Sequence, residues 1–227
     1  MHWIFKPRDK LASAPLVRIE RIEVDPAIVN SEFDYALPHY VGDVISLALE
    51  DHWYLGTELP EGAWAFGDAW KYNGEIVSNG HSVLGGNWGG DEAAWGRAAG
   101  FFEELGLIAI SANLREFIEF EREYAEILAD HPGDKYDFEI HSKPYARFDD
   151  VYYAEAKKAD INACFRNWLL SREWIDVVKG AADLYRDRDV VIPPHPLAQR
   201  RREQHNALHA PDMDTSRKLF WRKLQRK

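Results

Sequence analysis

Asp91 and Gly106 bracket an apolar stripe, Ala94, Trp95, Ala98, Phe101, Phe102 and Leu105, that returns every three or four residues. Aspartate caps helix N-termini through its side-chain oxygen, and glycine takes the left-handed conformation that ends a helix without a Cβ clash. Start, stripe and stop agree, so the segment predicts a helix with one buried face. That face needs partners, and the flanking sequence supplies stripes of the same period. Val41, Val44, Ile45, Ala48 and Leu49 form one from Pro38 onward, with Gly56 as its stop. Ala63, Phe66, Trp70 and Val77 form another from Pro60, and Leu107 to Ala129 carries a third through Ile110, Leu114, Phe117, Ile118, Ala125 and Leu128.

Residues 135–148 read as a loop. Asp149 and Asp150 can then cap a helix through Ile161, Phe165, Trp168 and Leu169, continued past a break near Glu173 by Trp174, Ile175, Val178, Ala182 and Tyr185. Leu16 to Val24 alternates imperfectly and predicts an extended arm or one short strand. The expected architecture is mainly α, a compact multi-helix domain over 37–196 with little or no sheet. An irregular N-terminal arm (1–36) precedes it, and a linker-like basic tail (197–227) follows Pro193-Pro194-His195-Pro196.

With 227 residues, 46% of them hydrophobic, the chain can bury a sizeable core. No apolar run reaches the roughly 18 residues of a membrane span, and residues 1–10 lack a signal-peptide core, so a cytoplasmic protein is expected. The single cysteine, Cys164, excludes an internal disulfide and a cysteine-based zinc site. The formal charge of −10 is unevenly divided: residues 1–196 hold 19 basic and 35 acidic side chains, residues 197–227 hold nine basic and three acidic. A body at −16 should repel nucleic acid and attract basic partners, while the tail at +6 could answer it in cis.

Asn79 to Gly90 holds five glycines in twelve residues and must turn sharply, around one helical turn at His81 to Leu84. Gly80-His81-Ser82-Val83-Leu84 approaches a nucleophile elbow but lacks its second glycine and a preceding strand. No Walker A or dinucleotide fingerprint can be placed there. His205 and His209 have metal-ligand spacing without an accompanying glutamate base. No catalytic residue, metal ligand or cofactor is therefore assigned; a small-molecule enzyme or binder at this turn, using His81, Ser82 and Trp88, is kept as an alternative. Of the tryptophans crowded into this half of the chain, Trp88 alone is placed for exposure.

Glu116, Glu119, Glu123, Glu126 and Asp130 follow 3-4-3-4 spacing on one side of the Leu107–Ala129 helix. At about 1.5 Å rise per residue their carboxylates repeat every 4.5 to 6 Å or so, near the phosphate spacing of one nucleic-acid strand. Two readings stand: an ordinary solvated face, or a surface that imitates a phosphate backbone.

Several short segments carry a family resemblance. Ile76-Val77-Ser78-Asn79-Gly80 leads into a turn ending at Asn87. Glu103-Glu104-Leu105-Gly106-Leu107 is followed by Ala112-Asn113-Leu114-Arg115-Glu116-Phe117, and later comes Phe148-Asp149-Asp150-Val151-Tyr152-Tyr153. Over about residues 38–178 the chain resembles the bacterial DNA-mimic protein family. His81 stands where that family usually has Phe, Val83 where it has Gln, and Gly85-Gly86 where it has bulky residues. Asn79, Gly80, His81, Asn87 and Trp88 make up the family-motif turn. The resemblance implies an all-helical, non-catalytic protein that occupies a basic, DNA-binding protein. Partner contacts are expected at Glu116, Glu119, Glu123, Glu126 and Asp130, and a homodimer is compatible. An immunity-type inhibitor of a basic toxin or nuclease is the alternative of a different class.

Overall fold

The computed structural model describes residues 17–87, 91–130 and 142–209. Its elements in chain order are β1 (Ile22–Val24), α1 (Pro26–Val29), α2 (Ala36–Ser46), α3 (Ala63–Asn79), α4 (His81–Asn87), α5 (Glu92–Glu104) and α6 (Ile108–Asp130). After them come α7 (Ala146–Ala156), α8 (Ile161–Leu170), β2 (Ile175–Val177), α9 (Arg188–Val191) and α10 (Ala198–His209). The protein is mainly helical.

The Asp91 to Gly106 reading holds at both ends. Asp91 Oδ1 accepts the Ala94 N–H at 3.0 Å. Gly106 lies at φ +75, the Gly106 N–H reaches the Glu103 carbonyl at 2.9 Å, and the Leu107 N–H reaches the Phe102 carbonyl at 2.8 Å. That pair of bonds satisfies the carbonyls a helix end leaves open. The stripe faces inward, with Ala94, Trp95, Ala98, Phe101 and Phe102 buried.

Helix α5 is the middle of the stack. It packs on α3 and on α6; α2 covers α3, and α7 closes over α6. Aromatic rings fill the space between them: Phe66 of α3 lies edge-on to Phe101 and Phe165 and stacks on Trp168, while Trp95 meets Phe117. Large rings give such a stack most of its buried apolar area and set preferred tilts between neighbours. Arg97 of α5 ties back to α3, its Nε donating to Asp68 at 2.6 Å and its guanidinium lying over Trp64.

Four expectations are corrected. Helix α3 begins at Ala63 rather than Pro60, because Gly62, at φ +78, turns the chain just before it. Residues 143–148 are helical, a short turn at Lys143–Tyr145 opening directly into α7. Asp149 therefore sits inside a helix, and it is Asp160 that caps α8, accepting the Ala163 N–H at 3.0 Å. Finally, Trp174 to Tyr185 does not continue as a helix. Residues 175–177 form β2, pairing in parallel with β1 in the register Ile22 to Ile175 and Val24 to Val177. The short strand expected near Leu16 to Val24 thus exists, and its partner comes from more than 150 residues away.

The chain after Pro196 also differs from a linker. Ala198–His209 is a helix whose Arg201 is completely buried against the body. Residues 210–227, residues 1–16, the His131-Pro132-Gly133-Asp134 stop and Trp88 lie outside the described residues.

Candidate functional site: the motif turn and the acidic face of α6

Three of the motif segments, those of the turn, of Ala112 to Phe117 and of Phe148 to Tyr153, converge on one side chain. His81 opens α4 and is fully buried. Its Nδ1 lies 2.7 Å from Asp149 Oδ1, its Nε2 lies 2.9 Å from the Tyr72 hydroxyl, and its backbone N–H donates to the same Asp149 oxygen at 2.9 Å. A carboxylate only accepts, so Nδ1 carries a proton and, in the neutral ring, Nε2 receives the Tyr72 proton. Burial, and after it the neighbouring Tyr152 and Asp149, holds the Tyr72 phenol well above its ordinary range, so it remains a donor. Both ring nitrogens are thus committed inside the protein.

Rings close the cage. Phe117 of α6 and Phe148 of α7 lie 5.0 and 5.7 Å from the His81 ring. The Asn113 side-chain amide donates to the Phe148 carbonyl at 3.0 Å, joining α6 to α7. The Tyr152 hydroxyl donates to Asn73, and that of Tyr153 to the Ile76 carbonyl at 2.8 Å, joining α7 to α3. The segments around Ile76 to His81, Ala112 to Phe117 and Phe148 to Tyr153 therefore each contribute a bond to this frame. Its work is positional: it fixes α6 and α7 against the turn.

Gly80 shows how close the approach is. It sits at φ +73, and a Cβ there would stand 3.0 Å from Asp149 Oδ2. Asn79 is exposed, its amide donating to Glu75 at 3.2 Å. Asn87 ends α4. Where the turn was weighed as a small-molecule site, His81 has no nitrogen to offer; a surface groove of about 340 Å³ is instead lined by Arg18, Glu20, Arg21, Glu61, Glu173 and Trp174. Among the described residues, no three His, Cys, Asp or Glu side chains gather to hold a metal ion.

On the outer side of α6, Glu116, Glu119 and Glu123 are all exposed. Two of them have cationic neighbours, one on a different helix and one three residues further along α6. Glu116 pairs with Arg147 of α7 at 3.1 Å, and Glu119 with Arg122 at 2.7 Å. Arg122 also bonds Glu92 of α5 at 2.6 Å, and Arg115 reaches Glu103 at 2.7 Å. Glu123 has no ion pair among the described residues. Glu126 and Asp130 extend the same helix by sequence, and their side chains lie outside the described residues. From Glu116 to Glu123 the face is thus a lattice of exposed ion pairs with carboxylates in excess. Such pairs contribute about 0–1 kcal/mol each and exchange partners readily.

The turn thus works as a structural clamp within a helical stack, and the long helix α6 shows Glu116, Glu119 and Glu123 outward. The chain belongs to the DMP19-like protein family, whose model matches residues 57–177, a little over half of the chain. The matched stretch takes in α3 to β2 and leaves β1, α2 and α10 outside it. No match was found among curated proteins or among solved structures. No helix among the described residues is long and apolar enough to cross a membrane.

Proposed function

We propose that the protein is a non-catalytic acidic binding module acting as a DNA mimic, which occupies the basic surface of a DNA-binding protein through α6. The observation that carries this reading is the family match over the helices that present α6, together with exposed Glu116, Glu119 and Glu123 on that helix. Glu126 and Asp130 continue the same spacing and complete the proposed contact row. The internal arginines do not oppose it. Exposed ion pairs are weak in water, so an incoming basic surface can replace Arg147 and Arg122 at small cost.

Association through such a face is steered by charge and weakens as salt rises. The test is charge reversal, Glu116→Lys, Glu119→Lys and Glu123→Lys together. Partner capture from the native cell should be lost along with its salt dependence, and duplex DNA should compete for the captured protein in the wild type. Unchanged capture by the triple variant overturns the reading.

A further inference from the structure

A second charged arrangement lies where α10 meets the body, away from α6 and outside the family-matched helices. The Arg201 guanidinium, fully buried, forks onto Glu58: Nη1 to Oε2 at 2.6 Å and Nη2 to Oε1 at 2.7 Å, with Nη1 also donating to the Trp53 carbonyl at 2.7 Å. Trp53 holds φ +62, rare for a non-glycine residue and strained, which aims that carbonyl at the guanidinium. Glu58 Oε2 accepts the Leu55 N–H as well, at 2.7 Å. Bidentate arginine–carboxylate pairs are strong and directional, but they hold a buried helix only while the charges balance.

His195 controls that balance. It is buried at the end of the Pro193-Pro194 stretch, its N–H bonded to the His52 carbonyl at 3.0 Å and its ring edge-on to Tyr54. Its Nδ1 accepts the Leu197 N–H at 3.0 Å, just ahead of α10, so the neutral ring carries its proton on Nε2, which faces Glu58 Oε1 at 3.5 Å. A second proton can enter only at Nδ1. It would place two donors, Nδ1–H and the Leu197 N–H, against each other, and set a second cation beside Arg201 over a single carboxylate. We propose that α10 is a pH-operated latch, a basic helix docked on its own chain through Arg201 and Glu58 and released when His195 gains a proton.

Other titratable and charged groups face this junction from α9, α10 and the chain before them. His52 is buried, with Nδ1 unbonded among the described residues and Nε2 3.2 Å from Asp189 of α9. Arg202 lies over the Trp53 ring and His205 stands edge-on to it, both on α10. Burial pushes His195 below its ordinary 6.5, Arg201 adds to this, and Glu58 opposes. A histidine whose value is depressed in the closed form stabilises closure above about 6.5, and that stabilisation is lost as pH falls. Opening uncovers the Glu58 carboxylate.

The test is amide hydrogen exchange on the full chain at about pH 7.5 and about pH 5.5, corrected for intrinsic rates. Protection over residues 198–209 should fall about tenfold at the lower pH, the equivalent of one proton-linked unit, while α3 and α5 keep theirs. His195→Gln should flatten that dependence, and Arg201→Lys, which keeps the charge without the fork, should loosen α10 at the higher pH with α3 and α5 unchanged. Protection of α10 that is independent of pH, that falls only in step with α3 and α5, or that keeps its full pH dependence in His195→Gln would overturn the latch. None of these readouts depends on the α6 face, so the two proposals fail separately.

Discussion

Replacing His81 by the phenylalanine usual at its motif position tests whether the buried clamp is a hydrogen-bonded unit or merely a filled volume. The phenyl ring fits among Phe117, Phe148 and Tyr152, so little cavity term arises. What changes is bonding. Tyr72, fully buried, would keep a hydroxyl with no acceptor, a loss of about 1–3 kcal/mol. Asp149 loses one donor, but its side chain is 28% exposed and retains the backbone N–H of residue 81, so water replaces most of that bond. His81→Phe should therefore destabilise by about 2 kcal/mol, a melting temperature lower by roughly 4–8 °C for a chain of this size. Tyr72→Phe alone strands Nε2 and should lose about 1–2 kcal/mol. The double variant strands neither group, so its loss should fall short of the sum of the singles by about 1–2 kcal/mol. Urea unfolding of the four proteins measures the cycle. Additivity within roughly 0.5 kcal/mol, or a His81→Phe protein as stable as the wild type, would refute the hydrogen-bonded clamp.

The remaining expectations use the same kind of measurement. Glu58→Gln leaves Arg201 buried without its counter-charge and should lower stability by about 3–5 kcal/mol, and adding Arg201→Met should restore a large part of it. Glycine at 80 and 106 should respond differently to alanine: both lie at positive φ, but Gly106 faces open space while Gly80 abuts Asp149, so Gly80→Ala should be the more damaging in thermal melts. For Glu58, burial raises the carboxyl, and the bonds from Arg201 and the Leu55 N–H outweigh it, leaving the group below its ordinary 4.5. With His195 also depressed, the two groups' contribution to the docking of α10 is complete above about pH 6.5. It should be lost as pH falls, first through the histidine and then through the carboxylate, and amide exchange over residues 198–209 in the wild type and Glu58→Gln between about pH 4 and 8 will show it.

The helices legible in the chain are those whose start, stripe and stop lie within twenty residues. Asp91 to Gly106 is the clearest, since a cap bonds three residues ahead and a left-handed glycine closes the next turn, both local events. Trp174 to Tyr185 misled for the complementary reason: its apolar residues fit a helical period, but the backbone hydrogen bonds that make β2 come from β1, far off in sequence. Strand pairing of that range leaves no trace in a local window.

Composition and period thus determined a mainly helical chain, the acidic body and the outward spacing of Glu116, Glu119 and Glu123, because apolar period and the order of charges are properties of the sequence alone. Tertiary structure decided which of these groups are neutralised and which side chains hold the fold. Asp149, which local spacing offers as a cap, is the acceptor of His81, 68 residues before it. Arg201, one of three consecutive arginines in an apparent tail, is the most deeply buried cation among the described residues because a carboxylate 143 residues earlier awaits it. A charge is tolerable inside a protein only where its partner has been brought to meet it, and that meeting is made by the packing of helices distant in sequence.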